Sequence, residues 1–186
     1  MNQPYYFMKL IFSLFISIAF VFGIQAQTFP IDSTTKKITY TGVPTVTGAT
    51  QAVLFKRAHN MNVSGSGVLA DKAADGYYSY KGQFKVTYHA PQPGLMHNGY
   101  VSYTVVIACK EGRYKYIITD LVHTSEKGNG GPLEKSAPEC NKYVLTLQGW
   151  GDIKKAAAAE MDKLVANMKL TMGNPEDKPI NVGNDW

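Results

Sequence analysis

Four histidines (His59, His89, His97 and His123) and two cysteines (Cys109 and Cys140) are the side chains of this 186-residue chain best suited to acid–base, nucleophilic or metal chemistry. No two histidines stand at the i, i+4 spacing that would place a pair of ligands on one helix face. His89 and His97 bracket the stretch "APQPGLM", and Asp120 with His123 closes a β-rich segment. A site built from them needs a convergence in space that the spacing does not impose. Histidines near strand ends ordinarily lie in solvent, so the expectation is exposed histidines, with neither metal nor cofactor. A hydrolase-type alternative would use Asp120 and His123 with a histidine of the 89–97 segment. A cysteine nucleophile needs a neighbouring base, and Cys140 has none evident. The glycine-rich "SGSGVL" and "GNGGPLEK" do not join a strand to a helix, and no Gly-Lys-Ser/Thr follows them, so both read as turns rather than phosphate cradles. "NVS" at Asn62 and "DST" at Asp32 formally fit glycosylation patterns, but tripeptides this common assign no site.

Aromatic and basic residues offer a second kind of chemistry, that of binding. Asp75 to His89 reads "DGYYSYKGQFKVTYH". Its even positions are Tyr78, Tyr80, Gly82, Phe84, Val86 and Tyr88; its odd ones include Tyr77, Ser79, Lys81, Gln83, Lys85 and Thr87. Such alternation marks a strand with one dry face and one wet face. The even side is then core, and the odd side carries Tyr77, Lys81 and Lys85 to solvent. A single-strand nucleic-acid binder would need exposed aromatics along a basic groove. Here most tyrosines fall on the core phase, so nucleic acid is not an expected partner.

These residues must be positioned by the elements around them. "KKITYTGVPTVTG" (Lys36 to Gly48) is rich in β-branched residues and reads as a first strand, with Gly42 and Pro44 marking a bulge or an edge. "ATQAVLFKRAHNMNV" follows as a helix capped by Thr47 or Thr50. Beyond the aromatic row, Gly99 to Lys110 puts Val101, Tyr103, Val105, Ile107 and Cys109 in one phase, and "KEGR" turns tightly into the next strand. A two-residue turn at Glu111-Gly112 pairs Cys109 with Tyr114, Ile107 with Tyr116, Val105 with Ile118 and Val101 with Val122, apolar on both sides each time. That register also brings Asp120 to the inner face opposite Tyr103. A buried carboxylate there needs a hydrogen bond, from the tyrosine hydroxyl in the preferred reading, or a bulge that turns it out. Residues 124–140 read as a flexible polar loop. Gly151 to Met172 is the firmest helix, capped by Asp152 and striped by Ile153, Ala157, Met161, Leu164 and Met168. The sum is a two-layer α+β domain, one antiparallel sheet with two helices on one face.

"FPIDSTTKKITYTG", "LFKRA" in the first helix, "GRYKYIITDLVH" and a terminal amphipathic helix resemble an exported bacterial family, DUF4468, a domain of unknown function with the fold of the TATA-box-binding-protein repeat (TBP-like). The resemblance spans roughly Phe29 to Met172. It implies the order β-α-β-β-β-β-α, which adds a strand near "GSGVLAD" (Gly67 to Asp71) that the pattern alone does not mark. Pro44 inside the first strand and the long loop before Cys140 depart from it. It implies no catalytic residue.

The chain opens with Lys9 ahead of an apolar run from Leu10 to Ile24 and small residues at Ile24-Gln25-Ala26. Residues 1–26 therefore read as a cleavable secretory signal, with translation starting at Met1 or Met8, and the protein as periplasmic or secreted. Their removal takes away only Lys9 and lowers the net charge from +5 to +4. The 160 residues left suit a single domain over 27–172 with a tail at 173–186, burying about two-thirds of the unfolded surface. In an oxidising compartment Cys109 and Cys140 could pair, which would contribute about 3–4 kcal/mol. The inward phase of Cys109 favours a small apolar residue instead. The function expected is a non-enzymatic binding or envelope-assembly module. It would use the free sheet face (Tyr77, Lys81, Lys85, Tyr100, Thr104 and Lys115) or the 90–98 loop, toward an envelope protein or a small ligand.

Overall fold

The computed structural model describes residues 29–61 and 67–174. The expected signal segment, the Asn62 tripeptide and residues 175–186 of the expected tail lie outside them. The first strand, β1 (Tyr40–Gly42), is shorter than its β-branched sequence predicts. Pro44 withholds a backbone donor, and pairing resumes only as a single bridge between Thr45 and Arg113. Thr50 then caps α1 (Gln51–Asn60), its hydroxyl accepting from Val53 N. Next come β2 (Val68–Lys72), where the family resemblance expects a strand, then β3 (Tyr77–His89), β4 (Met96–Lys110) and β5 (Arg113–Thr124). β6 (Gly131–Pro132) and α2 (Leu147–Gly173) complete the order. The sheet is wholly antiparallel, arranged β1-β5-β4-β3-β2, with β6 joining β1 on the outer edge of β5.

Alternation decides the layers. Tyr78, Tyr80, Phe84, Val86 and Tyr88 of β3 are buried, and so are Val101, Val105, Ile107 and Cys109 of β4. They form one core with Leu54 and Ala58 of α1 and Trp150, Ile153, Ala157, Met161 and Met168 of α2. Both helices thus cover the same face, and Lys81, Gln83, Lys85 and Thr87 stay exposed on the other. One residue of the wet phase breaks ranks. Ser79 is buried, a short side chain between its cross-strand neighbours Ala70 and Val106. Arg57 joins the helices by donating Nη1–H to Met172 O at 2.9 Å, satisfying one carbonyl of the last turn of α2.

The β4–β5 hairpin is the two-residue turn, closed by the Lys110–Arg113 pair. Gly112 alone takes the left-handed conformation (φ +69°), so Glu111 is spared the position it suits badly. Cys109–Tyr114, Ile107–Tyr116 and Val105–Ile118 pair in the expected register. The fourth expected pair fails. Val101 faces His123 rather than Val122, because β5 carries a bulge between the Thr104–Thr119 and Ser102–Val122 pairs. Asp120, at the bulge, adopts φ +56° and turns out to Lys37, 2.5 Å away, instead of meeting the Tyr103 hydroxyl inside. Asp tolerates this left-handed backbone better than most residues.

The expectations for residues 124–140 and for the last helix are corrected. The stretch 124–140 is not a flexible polar loop: it supplies β6, and Leu133 is fully buried. α2 starts at Leu147 with Thr146 as its cap, Thr146 Oγ1 accepting from Gly149 N, and runs through Gly173, the first residue expected of the tail. Asp152 sits inside that helix and bonds His89. Cys109 and Cys140 are free thiols, and burial pushes the Cys109 thiol up to about 11. Among the described residues, no helix is long and apolar enough to cross a membrane.

Gly82 stands in the dry phase of β3 because the ring of its cross-strand partner Tyr103 lies over it, where a Cβ would collide. The Gly82→Ala variant is expected to lose about 1–2 kcal/mol in urea denaturation. The cost should shrink in a Tyr103→Ala background, where no ring has to move.

Candidate functional site

The wet face can be read row by row from the register. Tyr77, Ala108 and Lys115 form one row, Lys81, Thr104 and Thr119 another, and Lys85, Tyr100 and Thr124 a third. Eight residues of strand separate Tyr77 from Lys85, about 27 Å at the usual rise. The five residues expected to bind therefore do not make one small-molecule site. Tyr77 and Lys115 stand at one end of the sheet and Lys85 with Tyr100 at the other, with Lys81 between. Tyr77 is half-buried, and the others are exposed.

Lys85 and Tyr100 border a groove of about 730 Å³. Its floor is the end of β4 (Met96 to Tyr100), and its far wall is the segment from Thr124 to Asn129. Part of the 90–98 segment, the other surface expected to bind, thus meets the sheet face here. The wall is held by a chain of hydrogen bonds. The Tyr88 hydroxyl donates to Ser125 Oγ (3.0 Å), which donates to Asn98 O (3.0 Å). Lys127 N also donates to Ser125 Oγ, and Ser125 N donates to Asn129 Oδ1 (3.1 Å). Across the floor, Thr87 Oγ1 donates to Asn98 Oδ1 at 2.9 Å. Both amide oxygens are used inside the protein, which leaves the two amide N–H groups of each asparagine to the groove. Ser125 and Asn129 escape a sequence reading, although their short-range backbone bonds are turn chemistry that the loop composition permits.

The residues of the hydrolase-type alternative do not assemble. Asp120 pairs with Lys37. His89 Nδ1 lies 2.6 Å from Asp152 Oδ2, whereas the ring of His97 packs edge-on against Tyr88. His123, expected in solvent, is wholly buried because the bulge reverses the phase of β5 beyond Asp120. Its ring meets Tyr88 and Trp150 edge-on, and the close approach of Gly99 and Gly130 leaves room for no added Cβ. Gly130 N donates to His123 Nδ1 (3.1 Å), so the neutral ring carries its proton on Nε2, which has no partner. Among the described residues, no group of three or more His, Cys, Asp or Glu is placed to hold a metal ion.

Burial lowers the His123 pKa from 6.5 to about 4. The unfolded chain therefore binds a proton between these values that the folded chain refuses. Stability contributed by the neutral ring is complete above about pH 6.5 and is lost as the pH falls toward 4. That loss should be on the order of 3 kcal/mol, read as the shift in urea-denaturation free energy between pH 7 and pH 4. A His123→Gln variant, which keeps an acceptor for Gly130 N–H but cannot be protonated, should lack this part of the acid sensitivity.

No family model matches the chain, and no curated protein matches it. Among solved structures it is similar to a DUF4468 family protein from Bacteroides ovatus ATCC 8483, at 16% identity over 81% of this chain and 94% of that one, with a TM-score of 0.58. It is similar also to a TBP-like protein from Parabacteroides distasonis ATCC 8503, at 14% identity over 79% of this chain and 98% of that one, again with a TM-score of 0.58. At such identities the likeness speaks for the backbone. The chain has the TBP-like fold of DUF4468, as the resemblance carried by its strand and helix motifs implies.

Proposed function

We propose that this protein is a non-enzymatic binding module, exported by residues 1–26 and acting in the periplasm or outside the cell through the open face of its sheet. The observation that carries this reading is the separation of chemistry from exposure. Of the groups suited to proton transfer, Asp120 is paired with Lys37 and His89 with Asp152, His123 lies in the core, and His97, which lines the groove, packs its ring on Tyr88. The exposed side chains of the open face include lysines, Gln83, hydroxyls and Tyr100, spread along the sheet. A row of this kind suits contact with an extended partner whose surface is acidic, an envelope protein among them. Charge of this sort guides association and sets its salt dependence.

The test is capture from the envelope fraction by the purified protein, followed by mass spectrometry. A specific envelope partner should be recovered. The Lys81→Glu/Lys85→Glu variant should recover it about tenfold less well, with an unchanged melting transition. Recovery of cytoplasmic proteins alone, or equal recovery by the charge-reversed variant, would overturn the reading.

A further inference from the structure

We propose that the groove between Tyr100 and the Thr124–Asn129 wall is a binding site for an acidic saccharide, a sugar bearing a carboxylate. The inference rests on the reading of this face as a binding surface and assigns the chemistry of one part of it. Three features of the groove fix the class.

The first is its excess of fixed donors. Asn98 and Asn129 each have their carbonyl oxygen engaged, by Thr87 Oγ1 and by Ser125 N, which holds both amides and leaves their N–H groups as the donors they bring to the groove lining. Lys85 and Lys127 add two ammonium groups on opposite sides. Donors of both kinds suit an oxyanion and sugar oxygens. Glu126 is the one acidic side chain lining the groove, and it accepts from hydroxyls while opposing a densely charged anion such as a polyphosphate.

The second feature is an exposed aromatic platform. Tyr100 is 48% exposed and Met96 45%, four residues apart on the same face of β4. An exposed ring among amide donors suits the C–H face of a pyranose, apolar on its face and polar at its edge. An acidic peptide would need the edge of β4 that β5 leaves unpaired before Tyr100, and there Ser125 Oγ already occupies the Asn98 carbonyl.

The third is preorganisation. The bonds from Tyr88 to Ser125 and from Ser125 to Asn98 O tie the wall to the floor before any ligand arrives. Groups already ordered lose less entropy on binding.

The experiment is isothermal titration of the purified protein with short oligogalacturonates, neutral galacto-oligosaccharides, oligoglutamate and sodium sulfate at fixed ionic strength. Oligogalacturonate should bind saturably, with the neutral sugar, the peptide and sulfate each weaker by about tenfold or more. Tyr100→Ala, Lys127→Met and Asn129→Ala should each weaken it by about fivefold or more, whereas Lys115→Met, at the far end of the sheet, should leave it unchanged. The proposal is overturned if oligogalacturonate does not saturate, if the neutral sugar or the peptide binds equally well, or if Lys115→Met weakens binding as much as Lys127→Met. Should oligogalacturonate fail while envelope capture persists, the saccharide site falls and the binding-module reading stands. Loss of both would remove the two together.

Discussion

Tyr103 of β4 faces two residues of β5, Asp120 and Leu121, where a regular ladder would give it one. Side chains of a strand change face at every residue, so a single extra residue moves everything after it to the opposite side. Before the bulge, Tyr114, Tyr116 and Ile118 are buried; after it, Leu121 and His123. Asp120 itself leaves the core and meets Lys37. That pair is exposed on both sides, so it contributes little more than the avoidance of a buried carboxylate. The gain lies elsewhere. With His123 turned inward, its Nδ1 fixes Gly130, and β6 pairs with Val122 and His123. The segment that walls the groove is bounded by residues the bulge has placed.

Such a device is hard to see from sequence, and the reason is local. Alternation in "RYKYIITDLVH" continues plausibly through Val122, because valine suits either face, and nothing in the residue types says where the phase reverses. The uncomfortable element was Asp120, polar on an apolar phase, and the structure resolves it by moving the backbone rather than by supplying a donor. The long regular pieces were legible for the opposite reason. In β3, β4 and the first part of β5, buried residues pair with buried ones at Tyr78–Ile107, Tyr80–Val105, Phe84–Val101 and Cys109–Tyr114, so a wrong register would expose several at once. α1 was readable from spacing and side-chain chemistry alone, and its cap down to two threonines, of which Thr50 serves.

The stretch from 124 to 140 shows where composition misleads. Its glycines, serines and lysines look like a loop free of the core. Yet Leu133 is buried, Trp150 Nε1 donates to Lys135 O (3.1 Å), and Lys154 Nζ reaches the same carbonyl (2.6 Å). The glycines serve proximity: one at position 130 lets the backbone lie against His123 and Trp150. Long-range packing of a polar segment leaves no periodicity, so only β2, implied by family resemblance rather than by pattern, was found in a comparably weak stretch. The groove, bordered on one side by this segment, was legible only in half: Lys85, Tyr100 and the 90–98 segment, but not the wall opposite.

The two faces of the sheet obey different constraints, and that difference bears on what the protein does. The inner face must fill the space under α1 and α2, a demand met by many combinations of apolar residues of fitting volume. A common backbone at 14–16% identity is what such a demand allows. The outer face fills nothing. Its Lys81 and Lys85 could be any polar residue as far as packing is concerned; Ser125 serves the core by accepting from the hydroxyl of buried Tyr88, whereas the ordering of Asn98 and Asn129 by their hydrogen bonds adds little to it. Polar order on a surface that does not need it costs conformational entropy. That cost is intelligible if the groups so arranged have something outside the molecule to meet.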